Sequence, residues 1–386
     1  MKFKKVLALC LSFMFVFLLG CSSNSGGTSR ISYIAGSTLK NSSVVRWIGR
    51  TEYVDEQVYT YYAATGFTVN FLGTSLYVSF NATNTDSEKN RPYFLCMIDG
   101  QTAEQGTSFS LTKDKQTIKV AENLSNENHT ATILKRSEPE NSLTSIYEIF
   151  TDGKFLRPTE HTGLRFQIIG SSGITGHGCL GTAGQSWTTK NSSPFSSFGY
   201  ITAEKFGAEC QFVSASGMGM CWSYRGVDTM TNAYDAVGLV AEYNSDGSTK
   251  SVKATSSKWN HSKWTPDVVI ANIGGNDWNS HISNLTGSEK TAAEQEFKTA
   301  VENLLKHIHQ LYPNAVVVWA VNSKTSGNGK LANDVIKSLD FSNKIKVVEL
   351  VDSAKTGADN HANAETHKTN STAIVEAIKN FGFQTV

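Results

Sequence analysis

The chain has 386 residues, a formal net charge of +1, and 39% hydrophobic, 10% aromatic and 18% charged residues. At about 150 residues per domain this is enough for two domains, and the apolar content fills real cores, so wholesale disorder is excluded. The near-zero charge offers phosphates no broad basic field, which argues against a nucleic-acid partner. Six Pro against 31 Gly exclude collagen-like and Pro-rich classes.

Residues 1–20 read as an export signal. Lys2, Lys4 and Lys5 precede an apolar run from Val6 to Leu19, which is short for a bilayer span. The run ends Leu18-Leu19-Gly20-Cys21 and resembles the bacterial lipoprotein lipobox. That resemblance implies cleavage before Cys21, a lipid on its thioether and a membrane-anchored protein at the cell surface. A plain secreted signal is the other reading. Residues 21–30, rich in Ser, Gly and Asn, then form a flexible tether. Beyond Cys21 lie Cys96, Cys179, Cys210 and Cys221, with no Cys-x-x-Cys and no zinc-site spacing. A Cys210–Cys221 disulfide and buried free thiols both stay open.

Residues 31–158 have the rhythm of an all-β sandwich of jelly-roll type. Short segments rich in Val, Ile, Phe, Tyr and Thr recur at Val44–Ile48, Gly66–Leu72, Leu76–Phe80, Tyr93–Ile98, Gln116–Val120 and His129–Lys135. Asp, Asn and Gly clusters separate them, and no helix is expected there.

From residue 159 to 386 the rhythm is α/β. Strands are expected at Leu164–Ile169, Cys210–Val213, Asp267–Ile273, Ala315–Val321 and Ile345–Val351, and helices at Tyr200–Phe206, Thr291–Tyr312 and Asn370–Phe381. Near-continuous apolar strands alternating with helices predict a parallel sheet covered on both faces, in three layers. Sites in such sheets collect at the carboxyl ends of the strands.

Four loops there carry candidate chemistry. The first strand runs into Gly170-Ser171-Ser172-Gly173-Ile174-Thr175, where a Ser in a tight turn is a candidate nucleophile. The second ends Ser214-Ala215-Ser216-Gly217, where a Gly lets a backbone N–H approach an oxyanion. The third ends Gly274-Gly275-Asn276-Asp277, whose Asn carboxamide is a further oxyanion donor. Asp359-Asn360-His361 lies near the C-terminus, with His361 a candidate general base. Taken singly, each also reads as an ordinary turn, cap or surface His.

Their order resembles the SGNH (GDSL-type) hydrolases, Gly-x-Asn-Asp and the late His being the specific parts. With the sandwich in front, the chain is similar to carbohydrate esterase family 2, as are the stretches "DGQT…ENHTATILKRSEPE" and "FGYITAEKFGAE". The resemblance implies a serine esterase that removes acetyl groups from a polysaccharide of xylan type, without a cofactor. It implies Ser172 as nucleophile, His361 as base, and an oxyanion hole of Ser172 N–H, Gly217 N–H and Asn276. Asp359 would orient His361, through either a carboxylate or a backbone carbonyl. The family's first block is usually Gly-Asp-Ser-Ile-Thr; here Ser171 replaces Asp and Gly173 stands where Ile is expected, which keeps Ser171 as an alternative nucleophile. Asn360 and Ala362 replace the usual Trp and Pro.

Trp187, Trp222, Tyr224 and Trp278 lie near these loops and are candidates for a sugar platform, Trp278 and Trp222 foremost. Neither His177 with Cys179 nor His307 with His309 has further ligands at a recognised spacing, so no metal is expected. Two other readings remain: a catalytically impaired glycan-binding lipoprotein, motivated by the altered first block, and a GDSL-type lipase or thioesterase.

Overall fold

The computed structural model describes residues 32–245, 247–351 and 354–386. The leader, Cys21 and the tether lie outside the described residues.

Two antiparallel sheets face each other in the N-terminal half. One has the order Thr51–Val54, Gln57–Thr60, Thr144–Thr151, Leu76–Ala82, Lys115–Ala121, with Ser32–Ala35 also paired to Thr144–Thr151. The other has the order Lys154–Leu156, Gly66–Gly73, Glu127–Lys135, Tyr93–Ile98, Thr107–Ser110, with Val45–Ile48 also on Gly66–Gly73. Alternate residues point inward: Phe67, Val69 and Phe71 from one sheet meet Leu76, Val78 and Phe80 from the other in a dry core. One short helix, Ser37–Asn41, departs from the helix-free expectation; it buries Leu39 against this core.

Beyond Leu156 the chain enters a five-stranded parallel sheet. Its strands are Arg165–Gly170, Glu209–Ser214, Val268–Asn272, Val316–Val321 and Ile345–Glu349, in the spatial order second, first, third, fourth, fifth. Val268, Val269, Ile270 and Ala271 are consecutive and all fully buried, so both faces of the sheet are covered. Helices Phe198–Lys205 and Ala364–Lys379 pack on each other and on the sheet, and Gly287–Leu311 packs on Gly327–Ser338. Gly287–Leu311 buries Phe297, Val301, Leu304, Leu305 and Ile308, one stripe of a 3.6-residue repeat. Ser197 and Asn363 cap the Phe198 and Ala364 helices, accepting from Tyr200 N and Thr366 N. Helix Gly327–Ser338 and the hairpin Leu239–Tyr243/Thr249–Ala254 were not expected from the sequence.

Strand register positions the site. Gly170 pairs with Ser214 on one side and Asn272 on the other. The first three strands therefore end level, and their loops emerge side by side.

The two halves are joined by buried charge. The Arg50 guanidinium, fully buried, donates to the Gln211 side chain and to the carbonyls of Tyr234 and Ala236. Arg46 pairs with Glu209, and Arg136 donates to Ser192 O at 2.8 Å. All four cysteines beyond Cys21 are free, which decides the open choice against a Cys210–Cys221 bridge.

Candidate active site

Ser172 opens a one-turn helix, Ser172–Thr175, directly after the first strand. Gly217 follows the second strand with φ +81°, and a Cβ there would lie 3.0 Å from the Tyr224 carbonyl, so the turn requires glycine. Gly274 has φ +106°, and a Cβ would press into the Phe297 ring at 2.7 Å; this glycine brings the following Asn276 and Asp277 close under the second loop. Asn276 donates one amide N–H to Met218 O at 2.8 Å, and an amide has a second to offer. Neither the Ser172 N–H nor the Gly217 N–H has a hydrogen-bond partner among the described residues.

Ser172, Gly217, Asn276, Asp359 and His361 line one cavity of about 230 Å³. A second, of about 440 Å³, shares Ser172, Asn276, Asp359 and His361 with it. Ser171 lines only the second cavity and is 8% exposed, while Ser172 lines both. A larger hollow of about 580 Å³, between Thr102, Glu204 and Val386, holds none of these residues.

The His361 Nδ1–H donates to the Asp359 backbone carbonyl at 2.8 Å. This leaves Nε2 as the nitrogen available to a nucleophile. No hydrogen bond joins it to Ser172 Oγ among the described residues; such bonds commonly close only with substrate in place. The Asp359 carboxylate makes no hydrogen bond to His361 among the described residues, although the two lie within 4.8 Å. It accepts from His177 Nε2 at 3.0 Å. Burial holds the His361 pKa below the ordinary imidazole value, and the neighbouring His177 charge pushes the same way, against the Asp359 carbonyl. A base depressed in this way is neutral, and so competent, down to lower pH.

Two sequence expectations need correction. Trp222 and Trp278 line neither cavity. Trp222 stacks on His281 at 4.5 Å between ring centroids and packs against the core; Trp278 lies beside Gly327 under the Lys290 ammonium. The aromatic side chains lining the cavities are instead Tyr224, 48% exposed on the wall of the first, and Phe198 in the second, while Trp187 lies behind them, tilted against His177 at 4.7 Å between centroids.

Three acidic or basic groups were missed. Glu138 and Glu140 come from the sandwich, in the turn after strand Glu127–Lys135, and His177 comes from the turn after Thr175. The signal for the first two was a charged stretch, Lys135-Arg136-Ser137-Glu138-Pro139-Glu140, running straight on from an apolar strand. His177, Asp359 and His361 form one tight cluster, as do Glu138, Glu140 and His177; Asp235, His261 and His307 form a third away from the cavity, where Asp235 accepts from both rings at 2.9 Å.

Residues 168–385 match the GDSL-like lipase/acylhydrolase family, and residues 47–159 the carbohydrate esterase 2 N-terminal family. The chain is 26% identical over 328 residues to the cellulase/esterase CelE of Acetivibrio thermocellus, covering 81% of this chain and 36% of CelE; the chain thus spans about a third of that protein's length. It is 23% identical over 318 residues to an acetylxylan esterase / glucomannan deacetylase of Cellvibrio japonicus, covering 82% of this chain and 80% of that protein. Its fold superposes on a family two carbohydrate esterase from Clostridium thermocellum, solved in complex with cellohexaose, with a TM-score of 0.72 at 23% identity, over 88% of this chain and all of that one.

Proposed function

We propose, for a chain that belongs to the GDSL-like lipase/acylhydrolase family and carries the carbohydrate esterase 2 N-terminal domain, that it hydrolyses acetyl esters on the hydroxyls of a polysaccharide or oligosaccharide such as acetylated xylan. The observation that carries this reading is the convergence in one cavity of Ser172, His361, Gly217 and Asn276, where the Ser172 and Gly217 N–H groups have no partner among the described residues.

The chemistry follows from that arrangement. His361 Nε2 takes the proton from Ser172 Oγ, which attacks the acetyl carbonyl carbon. The carbonyl oxygen becomes an oxyanion, held by Ser172 N–H, Gly217 N–H and the free Asn276 amide hydrogen. His361 then gives its proton to the departing sugar oxygen. Water, deprotonated by the same ring, attacks the acetyl-serine and releases acetate.

The adjoining cavity speaks for a sugar over a fatty chain. Asn272, Asn279, Asn322, Asn328 and Asn360 line it with Asn276. A wall of carboxamides satisfies hydroxyl groups and would leave its own donors unpaired against an alkyl chain. The curated relatives named as an esterase and as an acetylxylan esterase / glucomannan deacetylase support the same substrate class.

Acetate release from acetylated xylan, compared with short and long acyl esters of one alcohol, tests the reading. Preference for the long chain would replace it with a lipase or thioesterase, and glycan binding without acetate release would make it a binding protein. Within it, Asn276→Ala should lower kcat by about 100- to 1000-fold with KM changed little, as for loss of one oxyanion donor. A kcat within tenfold of the parent would remove Asn276 from the oxyanion hole.

The charged and apolar segments of the leader, ending Leu18-Leu19-Gly20-Cys21, support export and a lipid anchor on Cys21 at the cell surface. Cys21→Ser should then move the protein from the membrane fraction to the soluble fraction. Unchanged membrane association in that variant would exclude the anchor.

A further inference from the structure

His177 is 4% exposed, lies against the catalytic cavity, and has no part in the proton transfers above. Its ring is held on every side. Nε2 meets the Asp359 carboxylate at 3.0 Å. Nδ1 meets Ser216 Oγ at 3.1 Å and Glu138 Oε1 at 3.5 Å. Trp187 lies tilted against the ring at 4.7 Å and His361 at 4.6 Å, both between ring centroids.

With its partners as carboxylates, counting protons gives the state of this ring. The Asp359 carboxylate only accepts, so Nε2 carries a hydrogen. Burial alone would raise the Glu138 pKa, but His177 and the two hydrogen bonds from Ser216 hold it below the ordinary value, so Glu138 is a carboxylate. The Ser216 hydroxyl then gives its single hydrogen to Glu138 Oε1 at 2.8 Å and accepts from Nδ1, which carries a hydrogen too. With both nitrogens protonated, the ring is an imidazolium. Glu138, 2% exposed, is its buried counter-charge and also accepts from Ser216 N at 2.7 Å.

We propose that His177 is a charged positioning residue, tying Glu138 of the sandwich to the Ser216 and Asp359 loops and pressing its charge against His361. The proposal rests on His361 being the base of the esterase.

The geometry explains what the bridge is for. The His361 base is oriented by the Asp359 carbonyl, and Asp359 and Asn360 both stand in the left-handed region at φ 52° and 58°. Such a turn keeps its shape only when its surroundings fix it. Ala358 N donates to Gly178 O at 3.0 Å and Asp359 N to Gln185 O at 2.9 Å, and the one side-chain hold on the Asp359 carboxylate among the described residues is His177. On the other side, Glu138 grips the N–H and hydroxyl of Ser216, the residue before Gly217. One carboxylate of the sandwich thus steadies the oxyanion loop directly and the base loop through His177.

The charge has its own effect. Around the two rings stand Glu138 and Glu140 from the sandwich, Asp359 from the base loop, Arg225 on the cavity wall, Lys89 over Trp187, and His367 behind His361. Burial alone would lower the His177 pKa, but Glu138, Glu140 and Asp359 outweigh it and hold it above the ordinary value. A positive neighbour disfavours protonation of His361, so the base stays neutral as pH falls. Removing that charge while the carboxylates remain lifts the second depressing cause and leaves burial, so the His361 pKa moves up.

Imidazole-ring NMR titration of the protein, beside kcat/KM against pH, tests this in the parent and in His177→Gln. In the parent, His177 should stay doubly protonated above the ordinary imidazole range, and His361 should titrate below it. In His177→Gln the His361 midpoint should rise by about one pH unit, with the acidic limb of kcat/KM moving up equally. On the neutral plateau kcat should fall about tenfold or more with KM changed less than threefold. A neutral His177 at pH 7 in the parent overturns the proposal without any variant. An unmoved His361 midpoint in a folded His177→Gln protein overturns it as well. A parent that releases no acetate counts against the esterase reading alone, because the ring titrations decide the positioning role without turnover.

Discussion

Ser172→Ala should lower kcat for acetyl-ester hydrolysis by about 10⁴-fold or more while leaving the melting temperature of the protein almost unchanged. The stability half follows from place: Ser172 is half-buried at the start of one helical turn and its hydroxyl holds no neighbour among the described residues. Alanine suits that position and strands no polar partner. The activity half follows from the reaction, since water must then attack the ester directly, with only the oxyanion donors and substrate binding left to help. Ser171→Ala is the companion measurement. Ser171 is buried and lines only the asparagine-rich cavity, away from Gly217, so its loss should leave kcat within tenfold. A serine-directed phosphonate should label the parent and Ser171→Ala, and not Ser172→Ala. The reverse pattern would move the nucleophile by one residue and shift the whole oxyanion assignment with it.

The pieces of this site differ in how readily the sequence shows them. Parallel strands such as Val268–Asn272 are legible because burial on both faces demands an unbroken apolar run. The sandwich strand Lys115–Ala121 is legible because one exposed face leaves a strict alternation. Level strand ends are a property of the fold class, so Ser172, Gly217 and Asn276 fall together once three strands are recognised. Helix Gly327–Ser338 is hidden by its own start, Gly327-Asn328-Gly329, which has low helix propensity; its stability comes from burying Leu331, Ala332, Val335 and Ile336. Trp222 and Trp278 mislead because proximity in sequence to a loop does not say which way a large ring turns, and both find apolar or aromatic neighbours away from the cavity. Glu138 is the least legible. It acts on Ser216, 78 residues away and in the other half of the chain, and no local pattern announces such a pair.

Asp277→Ala should cost about 3–5 kcal/mol in urea unfolding, and should lower kcat as well although Asp277 lines neither active-site cavity. This carboxylate is fully buried and accepts three consecutive backbone N–H groups: Met220 at 2.7 Å, Cys221 at 2.8 Å and Trp222 at 2.9 Å. Those donors point inward from the loop that follows the second strand, and alanine would leave all three without an acceptor. Asn276 holds the same loop by donating to Met218 O, so two adjacent side chains of the third loop clasp the second from both ends of Met218–Trp222. Gly217 stands immediately before the clasped segment. Its N–H keeps its aim at the oxyanion only while the segment stays in place, and an error of about 1 Å there is worth about 100-fold in rate. Asp277→Asn separates charge from shape. Two N–H groups share Oδ1, and the third meets Oδ2, which becomes an NH₂ facing a donor. Asparagine should therefore recover part of the stability but not all of it. A stability loss with kcat intact would show that the loop holds its shape without Asp277. Intact stability and intact kcat together would contradict the three hydrogen bonds themselves.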